Sequence, residues 1–519
     1  PSPSGGGSSK GFLMHDWVLS LATFTPLIGV VVILLWPKEQ ETAIKSIALL
    51  TTLVTAGFGG YILKNFDYDH TKTLQFAVNK QWIEVIGSRY HIGVDGLSLP
   101  LLILSMFICI LCVIYSWDHF PEPHNPKAFL ALILVLETGM NGTFIAEDLI
   151  LFFVFFELVL LPMYFMIGVW GGANRQYASI KFFLFTLFGS ALMILGFLAL
   201  YFRAGHTFDI PTLVQNASAM LPHNTEVWIF SALFMGFAIK VPMFPFHTWL
   251  PDAHTEAPTV GSVILAAILL KLGTYGFVRI ALPILPDAAH TWAPVIGVLA
   301  VIGIIYGALG CLAQKDLKRL IAFSSVAHMG FVMLGIATLT SFGINAAMFG
   351  MVAHGLITGM LFFLAGSIGE RYGTREMSRL GGLLVQAPKL GWILGFCAMA
   401  SLGLPGLAGF WGEFPAILSA FSPANGLSVV LFRWFMVIAS IGTVFAAGYL
   451  LWMYQRVAFG EPREEFAHAH IHDMHVPEWI AWTPMLIGIV ALGVFPSLMF
   501  KLTDGAVQSI GHSLAMVAR

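Results

Sequence analysis

Apolar residues in this chain come in unbroken blocks of about 20, the length that crosses the hydrocarbon core of a bilayer as an α-helix. About fourteen such blocks occur, near 17–36, 43–63, 95–116, 127–146, 149–170, 178–202, 226–250, 258–281, 291–313, 320–340, 344–369, 389–421, 426–455 and 478–500. Lipid offers no partner for backbone N–H and C=O groups, so only helices and closed barrels cross it. Continuous blocks without apolar/polar alternation exclude a transmembrane barrel. Of the 519 residues, 57% are hydrophobic and only 10% charged, with mean hydropathy +0.82. Soluble domains are about one-quarter charged. The expected fold is therefore all-α, a polytopic membrane protein of about fourteen transmembrane helices whose surroundings are membrane lipids. The net charge of −2 says nothing about nucleic acid, and no basic stretch suggests such a partner. Four scattered cysteines make no disulfide framework. Cys109 and Cys112 read as packing residues, and an iron–sulfur cluster would need about four convergent thiolates.

Residues 1–13 (PSPSGGGSSKGFL) resemble a linker or tag ahead of a native start at Met14. The first apolar block continues without a cleavage site and reads as a helix that stays. Residues 14–126 then carry three transmembrane helices, with an external 64–94 segment whose polar and β-branched mixture suggests a hairpin. Lysine and arginine counts set orientation. With the N-terminus outside, inside loops hold fourteen of the 26 basic residues, among them Lys127, Lys315, Arg371 and Arg456. Both termini are expected to face outward.

Two blocks cannot run straight. The seventh reads IKVPMFPFHTWLPD (239–252), where Pro242 and Pro245 remove donors and kink the helix. The twelfth contains LGLPGLAGFWGEF (402–414). Irregular backbone at membrane depth is tolerated only inside protein or beside water. Breaks at matching places in two halves suggest inverted five-helix repeats, as in many transporters, over 127–281 and 291–455. A loop and the last transmembrane helix fill 456–519.

Glu157, Lys240, Lys271 and Glu413 fall within these blocks, with Glu137, His328 and His354 beside them. Each ionised group near the bilayer centre costs about 2.5–3.5 kcal/mol on insertion scales, so these groups must pair, neutralise or meet water. The apolar neighbours of Glu157 argue that it faces into the bundle. Beside Lys240 it would hold that lysine charged; without its influence, desolvation would discharge the ammonium. Such a lysine can take up and release a proton. Lys271 is the next stop along such a path, and the histidines titrate near neutral pH. A half-helix N-terminus near Glu413 favours an anion.

Blander readings stand beside these. Glu157 and Lys240 could be a structural ion pair, although buried pairs stabilise poorly. His328 and His354 could be axial haem ligands, which leaves both lysines unexplained, or could bond to backbone and water. His247, beside the first break, is a secondary candidate of the same kind. Glu137 either extends the series or snorkels. The loop HAHIHDMH (468–475) has metal-ligand residue types and reads as binding adventitious metal or none. No phosphate loop, nicotinamide or flavin fingerprint, or nucleophile–base set is present.

The stretch KVPMFPFHTWLPDAHTEAPTVGSVILAAILLKLGTYG (240–276) resembles the signature of the antiporter-like, proton-conducting subunits of respiratory complex I and of multisubunit Na⁺/H⁺ antiporters. FFELVLLPMY (155–164) is similar to that family's fifth helix and SSVAHMG (324–330) to its tenth. The likeness spans nearly the whole chain after Met14. It implies that Glu157 is the acid partnered with Lys240, that Lys271 is a relay lysine, and that His328 and His354 pass protons on to Glu413. Among the antiporter-like types of complex I, two resemble this chain but carry lysine at the twelfth-helix position, so the similarity is to the type bearing glutamate. The chain is also expected to stop after its fourteenth block, without the long lateral amphipathic helix of a related type. The implied function is proton translocation in an NADH-quinone oxidoreductase, a respiratory-chain translocase of the bacterial inner membrane, driven by quinone reduction elsewhere. FMN, iron–sulfur clusters and quinone would belong to other subunits, with none in this chain. Its partners would be other membrane-arm subunits, neighbouring antiporter-like ones included.

Overall fold

The computed structural model describes residues 9–517. Twelve helices among them are long and apolar enough to cross a membrane. The two crossings expected at 226–250 and 389–421 are each divided. His223–Lys240 stops ahead of Pro242, and Trp249–Glu256 follows; Pro388–Ser401 and Ala408–Ser419 flank the second gap. In the first gap the Trp249 indole donates to the Ile239 carbonyl at 2.9 Å, closing one acceptor that the interruption frees. In the second, Gly403 and Gly406 sit at φ +81° and +94°, conformations that side chains rarely adopt. Residues 1–8 of the expected linker lie outside the described residues, whereas 9–13 already belong to the helix Ser9–Leu35.

Burial sorts the helices. Thr259–Ile284, Leu317–Ala337 and Ser341–Tyr372 are buried nearly all round, while Glu41–Asn65, Arg175–Arg203 and Val429–Ala458 expose large apolar side chains such as Leu50, Leu184 and Val444. A helix apolar on every face suits either core or lipid; here the three buried ones form an axis and the others a rim. Close approach needs small residues: a Cβ on Gly412 would lie 2.5 Å from the Gly350 Cα, so Ala408–Ser419 can meet Ser341–Tyr372 only through glycine.

Helix is not the whole story. Gln75–Ile83 and Ser88–Val94 form an antiparallel hairpin turned by Gly87 at φ +66°, within the segment expected to hold one. Two amphipathic helices go beyond the expected pattern. Ile210–Met220 buries Ile210, Leu213 and Ala217. Ser497–Val517 follows the last crossing, Val476–Val494, so the chain does not stop at its fourteenth block. It docks through Asn345, which receives the Thr503 hydroxyl and donates to Asp504 at 3.2 Å.

Thr259–Ile284 itself is irregular. Leu265–Leu269 and Phe277–Ala281 are π-helical turns inside the longer helix. Such bulges displace a carbonyl from the i→i−4 ladder and often mark functional sites.

Candidate functional site

The first π turn explains the site. Lys271 lies just beyond it, fully buried, and its Nζ donates to the Ala266 carbonyl at 2.5 Å and to His354 Nδ1 at 2.7 Å. An ordinary α-helix would have used that carbonyl internally. Since Nδ1 of His354 accepts, the neutral ring carries its proton on Nε2, which is buried and has no partner.

His354 faces His328 with ring centroids 6.0 Å apart. Both line a cavity of about 20 Å³ with Thr358, Ser401 and Glu413, room for about one water molecule. No haem fits there, which removes the axial-ligand reading. On the far side His328 Nδ1 is hydrogen-bonded to the Glu413 carboxylate. With that nitrogen donating, Nε2 accepts from Ser401 Oγ at 3.2 Å and Tyr449 Oη at 3.1 Å. Four of the expected residues thus follow one another through the bundle: Lys271, His354, His328 and Glu413.

Glu157 and Lys240 do not touch. Ser190 Oγ donates to the Glu157 carboxylate, and Lys240 Nζ lies buried over the Phe156 ring, 4.8 Å from its centroid, without a hydrogen-bond partner. The sequence left open whether the two side chains meet; they do not, so the alternative of a contacting structural ion pair is not formed. The helix is interrupted at Val159 between Leu149–Leu158 and Leu160–Trp170, because Pro162 cannot donate to the Leu158 carbonyl. This turn leaves Glu157 half-buried beside Arg175–Arg203 rather than deep in the bundle. A cation over an aromatic face is still stabilised by the ring quadrupole.

His247 packs between Phe244 and Tyr306, at 5.6 and 4.8 Å, and joins none of the relay groups. Glu137 is fully buried, and neither carboxyl oxygen has a partner; no contact ties it to the four. Among the described residues, no group of three or more His, Cys, Asp or Glu side chains is placed to hold a metal.

Reasoning from the sequence missed His254. It is fully buried, stacked 4.4 Å from the Phe362 ring, with both ring nitrogens unpartnered. The ammonium groups of Lys318 and Lys271 both act on it. It stood within the KVPMFPFHTWLPDAHTEAP motif, but nothing there separated it from a surface-loop histidine. Lys318 in turn donates to the Ala257 carbonyl and lines an open cavity of about 660 Å³ with His119, Glu256, Asp316, Glu370 and Arg375. In that wall His119 pairs with Glu370 and lies 3.4 Å from Glu478. Burial opposes protonation of the His119 imidazole, but these carboxylates outweigh it and hold the ring above its usual range.

The sequence matches two family descriptions in succession: "NADH-ubiquinone oxidoreductase chain 4, amino terminus" over residues 70–143 and "NADH:quinone oxidoreductase/Mrp antiporter, TM" over 146–445. NADH-quinone oxidoreductase subunit M of Rickettsia conorii is 39% identical over 95% of this chain and 98% of its own. The protein of the same name from Rhodobacter capsulatus is 40% identical over 95% and 96%. A chain of respiratory complex I from Thermus thermophilus superposes with a TM-score of 0.85 at 29% identity, covering 96% of this chain and 99% of that one. Its apolar helices and these bacterial relatives make it a multi-pass protein of the bacterial inner membrane. The chain belongs to the NADH:quinone oxidoreductase/Mrp antiporter family of membrane subunits, alongside the subunit M (chain 4) proteins of complex I.

Proposed function

We propose that this chain is a proton-translocating membrane-arm subunit of an NADH:quinone oxidoreductase and that Lys271, His354, His328 and Glu413 carry the proton through it. The observation that supports this most is the succession of these groups, Lys271 bonded to His354 and His328 to Glu413 on either side of a one-water cavity. A proton leaving the Lys271 ammonium enters His354 at Nδ1 and departs from Nε2. One water in the cavity hands it to His328, and the Glu413 carboxylate takes a proton from Nδ1. Imidazole suits this, because it can gain a proton at one nitrogen and lose one at the other.

In this reading the 660 Å³ cavity faces the inside and supplies Lys271 by way of Lys318 and His254. The hairpin faces outward, as the basic-residue count expects. Residues 127–281 and 291–455 act as two inverted five-helix units, each with one divided helix. Glu157 and Lys240 set the charge of the first unit across a gap rather than through an ion pair. Quinone reduction in partner subunits, which hold FMN and iron–sulfur clusters, shifts that charge electrostatically. Neighbouring antiporter-like subunits of the membrane arm pass the shift along.

The test is NADH-driven proton pumping in membrane vesicles. Glu157→Gln and Lys240→Ala are expected to nearly abolish pumping while the complex assembles, and full pumping in either variant overturns the reading. Purification of the intact assembly separates this reading from a stand-alone cation antiporter, since only the former brings flavin, iron–sulfur signals and NADH oxidation with the chain.

A further inference from the structure

On the hairpin side, two adjacent acids are used quite differently. Asp148 is spent on structure: its oxygens accept from Ser88 Oγ and from the backbone N–H groups of Arg89, Ile150 and Leu151, all at 3.0–3.1 Å. Glu147 is 1% exposed, and its Oε1 is buried without a hydrogen-bond partner. Its backbone meets the His91 carbonyl at 2.8 Å and the Ile210 N–H at 2.9 Å, while its side chain has the Arg279 guanidinium within ion-pair reach at 3.7 Å and no hydrogen bond. A buried carboxyl that accepts no hydrogen bond is costly even beside a cation, so a purely structural pair would close to hydrogen-bond distance.

Glu147 also sits at the end of a polar column. Lys271, Tyr275 and Arg279 occupy successive turns of Thr259–Ile284. Tyr275 Oη donates to the Phe144 carbonyl at 2.8 Å and accepts from Arg279 Nε at 2.9 Å. Arg279 then donates to Asp95 at 2.6 Å and lies 3.7 Å from Glu147 Oε1. Toward solvent stands His91, bonded at 2.6 Å to Asp209, a carboxylate that Thr212 also caps. The groups facing Glu147 are thus Arg279 and Tyr275 from the buried helix, His91 from the second strand, and Asp95 and Asp209 from the flanking loops.

We propose that Glu147 is an outward proton-exchange group of the first five-helix unit, trading protons between the buried end of this column and the hairpin-side aqueous phase through His91 and Asp209. Tyr275 Oη donates to a carbonyl and accepts from the guanidinium, neither of which exchanges a proton with it, so it holds Arg279 in place. Arg279 stays charged throughout and acts as a positioning residue that prevents the carboxylate from being too strong a base. Burial, against the pull of Arg279, pushes the Glu147 carboxyl up to about 7. The group can therefore both load and discharge near neutrality. Asp209, although burial alone would raise it, is held below its usual range by the hydrogen bonds from His91 and Thr212, so it remains an anion that draws the proton outward.

The inference rests on the relay proposed above, and the test separates the two. Protons translocated per NADH are measured with the intact complex in sealed vesicles while the pH at the hairpin face is varied. The unaltered chain is expected to lose yield as that pH falls through about 7, because Glu147 can no longer discharge. Glu147→Gln should give a several-fold lower yield that no longer responds to this pH, and Glu147→Asp should restore both yield and response. Yield and pH response unchanged in Glu147→Gln overturn the inference. Should that variant not assemble, Tyr275→Phe decides: an unchanged profile overturns the inference and a lowered, flattened one supports it. Lys240→Ala is run alongside. If it pumps fully, the relay itself falls; if it is inactive while Glu147→Gln pumps normally, only the outward site falls.

Discussion

Lys271 has exchanged water for a backbone carbonyl and an imidazole nitrogen, both neutral acceptors. Such a site tolerates the charge or its loss, which a strong ion pair would not. Arginine tests the distinction, because guanidinium keeps the charge but does not release its proton. Lys271→Arg is expected to assemble yet to slow pumping by about 10²-fold or more, the range lost with a positioned proton carrier, as measured by proton uptake in vesicles. Ser190→Ala removes the hydroxyl that donates to Glu157. A hydrogen bond to a charged group contributes about 1.5–3 kcal/mol, so the variant should pump measurably more slowly with NADH oxidation by the peripheral subunits intact. At this scale the sequence revealed which residues matter more readily than what they touch. An ionisable residue in an apolar block stands out at once, and Lys271, His354, His328 and Glu413 are neighbours in the fold. The partners of Glu157 and Lys240 were not legible, because blocks apolar on every face carry no signal for how a helix is rotated. His254 was hidden for the opposite reason: its neighbours in sequence are polar, and only packing on Phe362 buries it.

The divided helices and the π turns do the positioning. Proline and glycine announced the two gaps, so these were legible, whereas nothing in LAAIL (265–269) distinguishes a π turn from an α turn. Loss of one residue there is informative. Deleting Ala267 should restore α-geometry and return the Ala266 carbonyl to the backbone ladder, removing one of the two acceptors of Lys271; pumping should fall even where the complex still assembles. Gly412→Val tests the close approach to Gly350. Its side chain meets backbone rather than a yielding side chain, so overpacking of about 1–3 kcal/mol or more is expected, read as a lowered Tm of the complex. The helices Ile210–Met220 and Ser497–Val517 escaped sequence reading because their apolar stripes are too narrow to resemble crossings.

Across the whole molecule, the last crossing is clamped to the axis on the side opposite the hairpin. Arg371 grips Glu478 with two parallel hydrogen bonds at 2.9 and 2.7 Å, and Ser367 adds a third at 2.6 Å. Glu478 is fully buried, so Arg371→Ala would strand a carboxylate. Breaking one side of such a pair costs about 3–5 kcal/mol, and the expected outcome is poor assembly of the complex, seen by native electrophoresis. Clamp, hairpin and terminal helix hold the ends of the bundle, while its centre is joined by something looser. Between His354 and His328 the polypeptide leaves room for a single solvent molecule. The link is then a clutch whose moving plate is not part of the protein. Traffic through the entire chain would be timed by how long one water stays, and an inert atom such as xenon lodged in that space would disengage the two halves reversibly, with every residue still in place.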